Sequence, residues 1–192
     1  MFPHLYNARK ALDATAYLMN QAGGAMRLTV LERLLYLAER ESFKSSGLPL
    51  TGDNLVSFEN GPALWHTHQR LVGEVPDWRS LMSNLPDRYV AMRQKLMPEK
   101  WEPYFERHTV LSRADVNVLQ SVWGDYGELP VPRLIEAVQS ECKEWDPASD
   151  ETTISHKQLF RALEFSPAEI EGVLIQLEEI DSLNQLTAES AS

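Results

Sequence analysis

Apolar residues recur at helical spacing along much of the chain, most densely between Leu28 and Ala38. Leu28, Leu31, Leu34, Leu35 and Ala38 make one stripe. Val30 and Leu37 are apolar off that stripe, and a helix apolar on most of its sides is a buried one. The pattern predicts a central helix with the others packed round it. Thr29 and Glu32 stand three apart at its start, as a capping box requires. Gly47 supplies a left-handed stop.

Before this helix, residues 5–22 predict another, capped by Asn7, with Leu5, Ala8, Leu12, Thr15, Ala16 and Met19 inward. Gly23-Gly24 turns the chain. After Pro49, the run Leu55, Val56 and Phe58 suits a short strand. Pro62 suits the first turn of a helix over 63–72, ended by Gly73. Trp78, Leu81, Met82 and Leu85 have helical spacing behind Asp77, and 89–97 predicts a further helix after the Pro86-Asp87 turn. Thr109-Val110-Leu111 suits a strand paired with 55–58. Ser112 and Asp115 open a helix with Val116, Leu119, Val122 and Trp123 inward. Gly124 and Gly127 bracket a turn, and a helix over 133–140 follows with Leu134, Ile135 and Val138 inward.

Two capped helices close the pattern. Ser155 with Gln158, then Ser166-Pro167-Ala168-Glu169, mark their starts. Ile170, Val173, Leu174, Leu177 and Ile180 make a sustained stripe, and from Asn184 the residues turn polar and small. The expected fold is mainly α, a single-domain bundle round a buried central helix with a small antiparallel β element. It spans residues 1–183, with 184–192 as a flexible tail.

A chain of 192 residues supports one domain with a substantial core. No stretch is long and apolar enough to cross a membrane, and the N-terminus lacks the charged and apolar regions of a signal peptide. The single cysteine, Cys142, allows no internal disulfide. A cytoplasmic location is the expectation. The net charge of −10 disfavours broad contact with nucleic acid and suits either a basic protein partner or solubility alone.

Candidate chemistry is sparse. His66 and His68 form a His-x-His pair, but two residues apart on a helix they diverge by about 200° and do not share a metal. Cys142 lies among Glu141, Lys143 and Glu144, a poor setting for a thiolate. Asp53 and Glu59 are a candidate carboxylate pair, although Asp53 also stands where a turn favours aspartate. No nucleophile elbow, phosphate loop or zinc-protease helix is present. The last helix holds Glu169, Glu171, Glu178, Glu179 and Asp181 and no Lys or Arg, the wrong sign for a DNA recognition helix. Trp65, Trp78, Trp101 and Trp145 lie in or near irregular segments, where tryptophan serves either core or interface. Asp53, Glu59, Asn60, Trp65, Trp101 and Trp145 are the candidate partner-binding residues. No catalytic residue, metal or cofactor is assigned.

Three segments carry a resemblance. Leu34-Leu35-Tyr36-Leu37-Ala38, Pro49-Leu50-Thr51-Gly52-Asp53 and Gly61-Pro62-Ala63 resemble, in order and spacing, the Panacea domain family of SocA-like antitoxins. Trp123-Gly124-Asp125-Tyr126-Gly127, Glu144-Trp145-Asp146-Pro147 and the Phe165-Ser166-Pro167 turn extend the similarity over residues 14–180. One departure is Ser140, where many relatives carry a histidine. The resemblance implies a non-enzymatic antitoxin that neutralises a cognate toxin protein by direct binding. It leaves two alternatives, a protease adaptor delivering the toxin to a AAA+ protease and a DNA-binding autoregulator of its operon.

Overall fold

The computed structural model describes residues 2–93, 109–148 and 151–190. Helix α1 (Ala8–Gln21) is capped by Asn7, whose side chain accepts the Lys10 N–H. It leads through Gly23 and Gly24, both at positive φ, into a short strand β1 (Ala25–Arg27). That strand runs straight into the central helix α2 (Leu28–Ser46). Then come β2 (Leu55–Phe58), β3 (Gly61–Leu64), α3 (Trp65–Val72), β4 (Met82–Leu85) and β5 (Tyr89–Met92). After the undescribed stretch stand α4 (Arg113–Val122), continued as one π-turn over Trp123–Gly127, and α5 (Val131–Glu141). The two-residue strand β6 (Thr152–Thr153), α6 (His156–Ala162) and α7 (Pro167–Ser190) complete the described chain. The fold is mainly α with a small antiparallel β element.

Helix α2 is the hub. Leu31, Leu34, Leu35, Tyr36 and Ala38 are all at most 1% exposed, so more than one face is enclosed, as the off-stripe apolar residues require. It packs on α1, β1, β3, α4 and α5. Gly47 ends it at φ 72, the left-handed geometry that glycine adopts without Cβ strain. Its start differs from expectation. The strand feeds directly into the first turn, Arg27 is the cap residue but its side chain makes no capping bond, and Glu32 reaches His68 instead of closing a box with Thr29.

The strands make two three-stranded antiparallel sheets, ordered β1-β5-β4 and β3-β2-β6. Here the helical spacing misleads twice. Leu81 and Leu85, which complete the apparent stripe, are 47% and 43% exposed, while Met82 and Val90 point into the core from paired strands. The Pro86-Asp87-Arg88 turn between them is a hairpin loop, with Asp87 and Arg88 at φ 58 and 59. Pro62 lies in β3, opposite Ser57, and not in a helix. A proline is tolerated there because β3 is an edge strand. β2 pairs with β3 and β6, so Thr109–Leu111, which is irregular, is not its partner.

On α1 Thr15 and Met19 of the expected face are fully enclosed, together with Ala11, Ala14 and Leu18, while Ala8, Leu12 and Ala16 are half-buried. Ile135 on α5 is 40% exposed, against expectation, while Leu134 and Val138 are buried. The helix start predicted at Ser112–Asp115 proves to be a capping box, and the box predicted at Ser155–Gln158 is closed. α7 stays helical past Asn184 to Ser190, with residues 183–190 exposed.

Candidate functional site

The motif residues meet around α2, and most of them are spent on architecture. Glu39 is wholly buried on α2, and its carboxylate accepts three bonds from the turn below it: Thr51 N–H and Thr51 Oγ1–H at 2.8 Å, and Gly52 N–H at 2.9 Å. Burial pushes its pKa up to about 7, partly countered by those three donors. Gly52 is at φ 72, and a Cβ there would stand 2.3 Å from the Leu5 carbonyl oxygen. The Leu-Thr-Gly-Asp turn thus exists to be gripped by a buried carboxylate.

Asp53, 1% exposed, grips the next element. Its Oδ1 accepts the N–H of Asn54 and of His66, and its Oδ2 accepts the Thr67 N–H and hydroxyl. The carboxylate therefore satisfies the open N–H groups at the start of α3. His66 Nδ1 lies 2.8 Å from the same Oδ1, and its ring stacks on Tyr6. His68 pairs instead with Glu32 of α2. The two histidines are held by different carboxylates, and no group of three or more His, Cys, Asp and Glu gathers among the described residues.

Arg33, 4% exposed, secures the β2–β3 hairpin from α2. Its guanidinium donates to the carbonyls of Pro62, at 2.8 Å, and Asn60. Gly61, at φ 125, lets it approach, because a Cβ would fall 2.5 Å from Arg33 Nε. From the other side, the Trp145 indole N–H donates to the Phe58 carbonyl at 2.9 Å, and Ser57 Oγ donates to the Asp146 carbonyl at 2.8 Å. Glu144 completes this strap. It accepts the Tyr36 hydroxyl at 2.9 Å and Arg40 Nε at 3.1 Å. Burial and the adjoining carboxylate drive the Tyr36 hydroxyl well above its ordinary pKa, so it stays a donor. In the π-turn, Gly127 packs against the Trp123 ring, and the Tyr126 hydroxyl donates to Glu141. Cys142 is buried and its thiol is pushed up to about 12, chiefly by burial, so it is inert at neutral pH.

What this scaffold presents outward is a cleft of about 230 Å³ beside the hairpin tip. Glu59, Asn60, Arg88 and Trp145 rim it, with Val30 and Ile135 as its apolar side. Arg88 projects from the second hairpin, its backbone at φ 59, and its side chain has no hydrogen-bond or ion-pair partner among the described residues. Non-glycine residues held at positive φ cost free energy and concentrate at functional sites.

Three of the candidate residues, Glu59, Asn60 and Trp145, therefore share one surface feature. The others do not. Asp53 is corrected from a partner contact to an interior cap of α3. It does not line the cleft that Glu59 lines, so the two are not a catalytic carboxylate pair. Trp65 opens α3 and faces a separate cleft of about 330 Å³ with Asn54, Val56 and Thr153. Trp101 lies outside the described residues. Ser140, at the place of the relatives' histidine, is exposed, and its hydroxyl donates to the Ala137 carbonyl. The sequence reading missed Arg33, Glu39 and Arg88. For the first two a signal existed: charged residues inside an apolar helix are buried only with partners.

No described helix is long and apolar enough to cross a membrane. Among curated proteins and among solved structures, none matches the chain. The family profile described as antitoxin SocA-like, Panacea domain, matches residues 31–146, from the first enclosed turn of α2 to the aspartate whose carbonyl takes the Ser57 bond. That match covers well over half of the chain, which therefore belongs to the SocA-like Panacea domain family.

Proposed function

We propose that this protein is an antitoxin that neutralises a cognate toxin by direct protein–protein contact, in the cytoplasm and without catalysis of its own. The observation that carries the reading is the family match, which spans the buried clamps and both hairpins that build the cleft. The cleft at the hairpin tip supports it as the contact surface. It joins an aromatic anchor, Trp145, an unpaired cation, Arg88, and polar and apolar rims on rigid elements, the mixture that binding hot spots use. Around it, a stable complex buries on the order of 1,200–2,000 Å².

Co-expression with the toxin encoded beside it tests the reading. Rescue of growth with toxin levels unchanged, and co-purification of the two chains, are the expected results. Rescue accompanied by loss of toxin only when a AAA+ protease is present would point to the adaptor alternative. No rescue at all would sink the proposal. The acidic α7, without Lys or Arg, argues against the DNA-binding alternative.

A further inference from the structure

A larger surface feature lies beyond the family match. α6 and α7 enclose a groove of about 820 Å³ with an apolar floor of Phe2, Phe165, Ile170, Leu174 and Ile175. Its walls carry opposite charge. Lys157 and Arg161 stand one turn apart on α6, and Glu171 and Glu178 two turns apart on α7. None of these four side chains has a hydrogen-bond or ion-pair partner among the described residues, so the walls face each other without pairing. α7 is also under-used as a packing helix. Of its 24 residues only Ile170 and Leu177 are buried. Ile175, Leu183 and Leu186 are 52%, 62% and 60% exposed. At about 100° per residue these three fall within roughly 80° of one another, so the floor of the groove continues as an apolar stripe along the free end of α7.

We infer that this groove docks an amphipathic helix of a partner protein, its apolar stripe down, an acidic edge toward Lys157 and Arg161 and a basic edge toward Glu171 and Glu178. A helix inserted between the walls supplies the counter-charge that each wall lacks, and its apolar face covers Ile175 and the leucines beyond it. At about 1.5 Å per residue, α7 is about 36 Å long, enough to support some four turns of such a helix. Because α6 and α7 lie outside residues 31–146, the inference stands apart from toxin neutralisation.

The test uses the full chain and a labelled 16-residue synthetic helix with a leucine stripe, lysines on one edge and glutamates on the other. An isosteric peptide with glutamine on both edges is the control. Fluorescence anisotropy should show the charged-edge peptide binding about tenfold tighter, the gain expected from several exposed pairs. Ile175→Arg, at an exposed position, should abolish binding of both peptides with the helical circular dichroism unchanged. Arg161→Glu should weaken the charged-edge peptide. Reversing all four wall charges should restore it, because the same peptide then seats in the opposite direction. Equal affinity of the two peptides, or no binding below about 1 mM, would overturn the inference. So would a dimer in sedimentation that Ile175→Arg dissociates, since a second copy would then fill the groove.

Discussion

Two buried groups make opposing demands on stability as pH changes, and separating them tests the account of the α2 clamp. Glu39 has its pKa raised from 4.5 to about 7, chiefly by burial. The folded state therefore holds the proton more tightly than the unfolded chain, and stability falls as pH rises from 4.5 to 7. At about 1.4 kcal/mol per pH unit, that interval is worth roughly 3 kcal/mol. His156, packed among Phe2, Phe43 and Phe160 with a buried Nε2 that has no hydrogen-bond partner among the described residues, has its pKa lowered from 6.5 to about 4, chiefly by burial. Its folded state binds the proton less, so stability rises with pH from 4 to 6.5, by a similar amount less screening of a half-buried ring. Between pH 4.5 and 6.5 the two largely cancel.

Substitution uncovers each. Stability can be measured by urea unfolding from pH 5.5 to 7.5, above the isoelectric point of about 5.0, with the tryptophans as reporters. The stability of Glu39→Gln relative to the unsubstituted protein should improve by about 2 kcal/mol across that range, because the falling limb is removed. That of His156→Leu should worsen by about 1 kcal/mol between pH 5.5 and 6.5, because the rising limb is removed. Other titrating groups are common to all three proteins and drop out of the differences. Two flat differences, or two of the same sign, would refute the assignment of these groups.

Other substitutions probe the remaining contacts. Gly52→Ala forces a Cβ at φ 72 against the Leu5 carbonyl and should lower stability by about 3 kcal/mol, read as a shifted urea midpoint at unchanged slope. Arg33→Met leaves the Pro62 and Asn60 carbonyls without their donor and should cost about 2–4 kcal/mol, with rescue of growth lost in proportion. Arg88→Glu alters an exposed side chain and should leave the thermal midpoint unmoved while weakening toxin co-purification; unchanged co-purification would remove the hairpin-tip cleft from the proposed interface. Cys142 should react with a thiol reagent at pH 8 only as fast as the fold opens, and rapid labelling of the native protein would contradict its burial.

The sequence pattern revealed the hub and most of the caps, because Leu31, Leu34 and Leu35 repeat at the helical period and Ser112, Ser155 and Ser166 are followed three residues later by their capping partners. It failed over 78–92. There the Pro86-Asp87 turn is legible, but the apolar residues on either side of it stand at helical spacing, and only strand pairing decides which of them is enclosed. Glu59, Asn60 and Trp145 were legible as surface candidates because turn residues and an aromatic in an irregular segment mark contact points. Arg88 was not. Its place in the cleft follows from the pairing of β4 with β5 on either side of its turn, where the periodicity predicts helices.

The strap from Ser57 and Phe58 to Trp145 and Asp146 joins positions 87 and 89 residues apart. A nascent chain that ends before Trp145 lacks these bonds, so its hairpin tip has α2 behind it but not the strap on its far side. On the proposed reading, competence to engage the toxin is thereby deferred until about three-quarters of the polypeptide has been synthesised, and a prematurely terminated product would carry the central helix without the complete cleft.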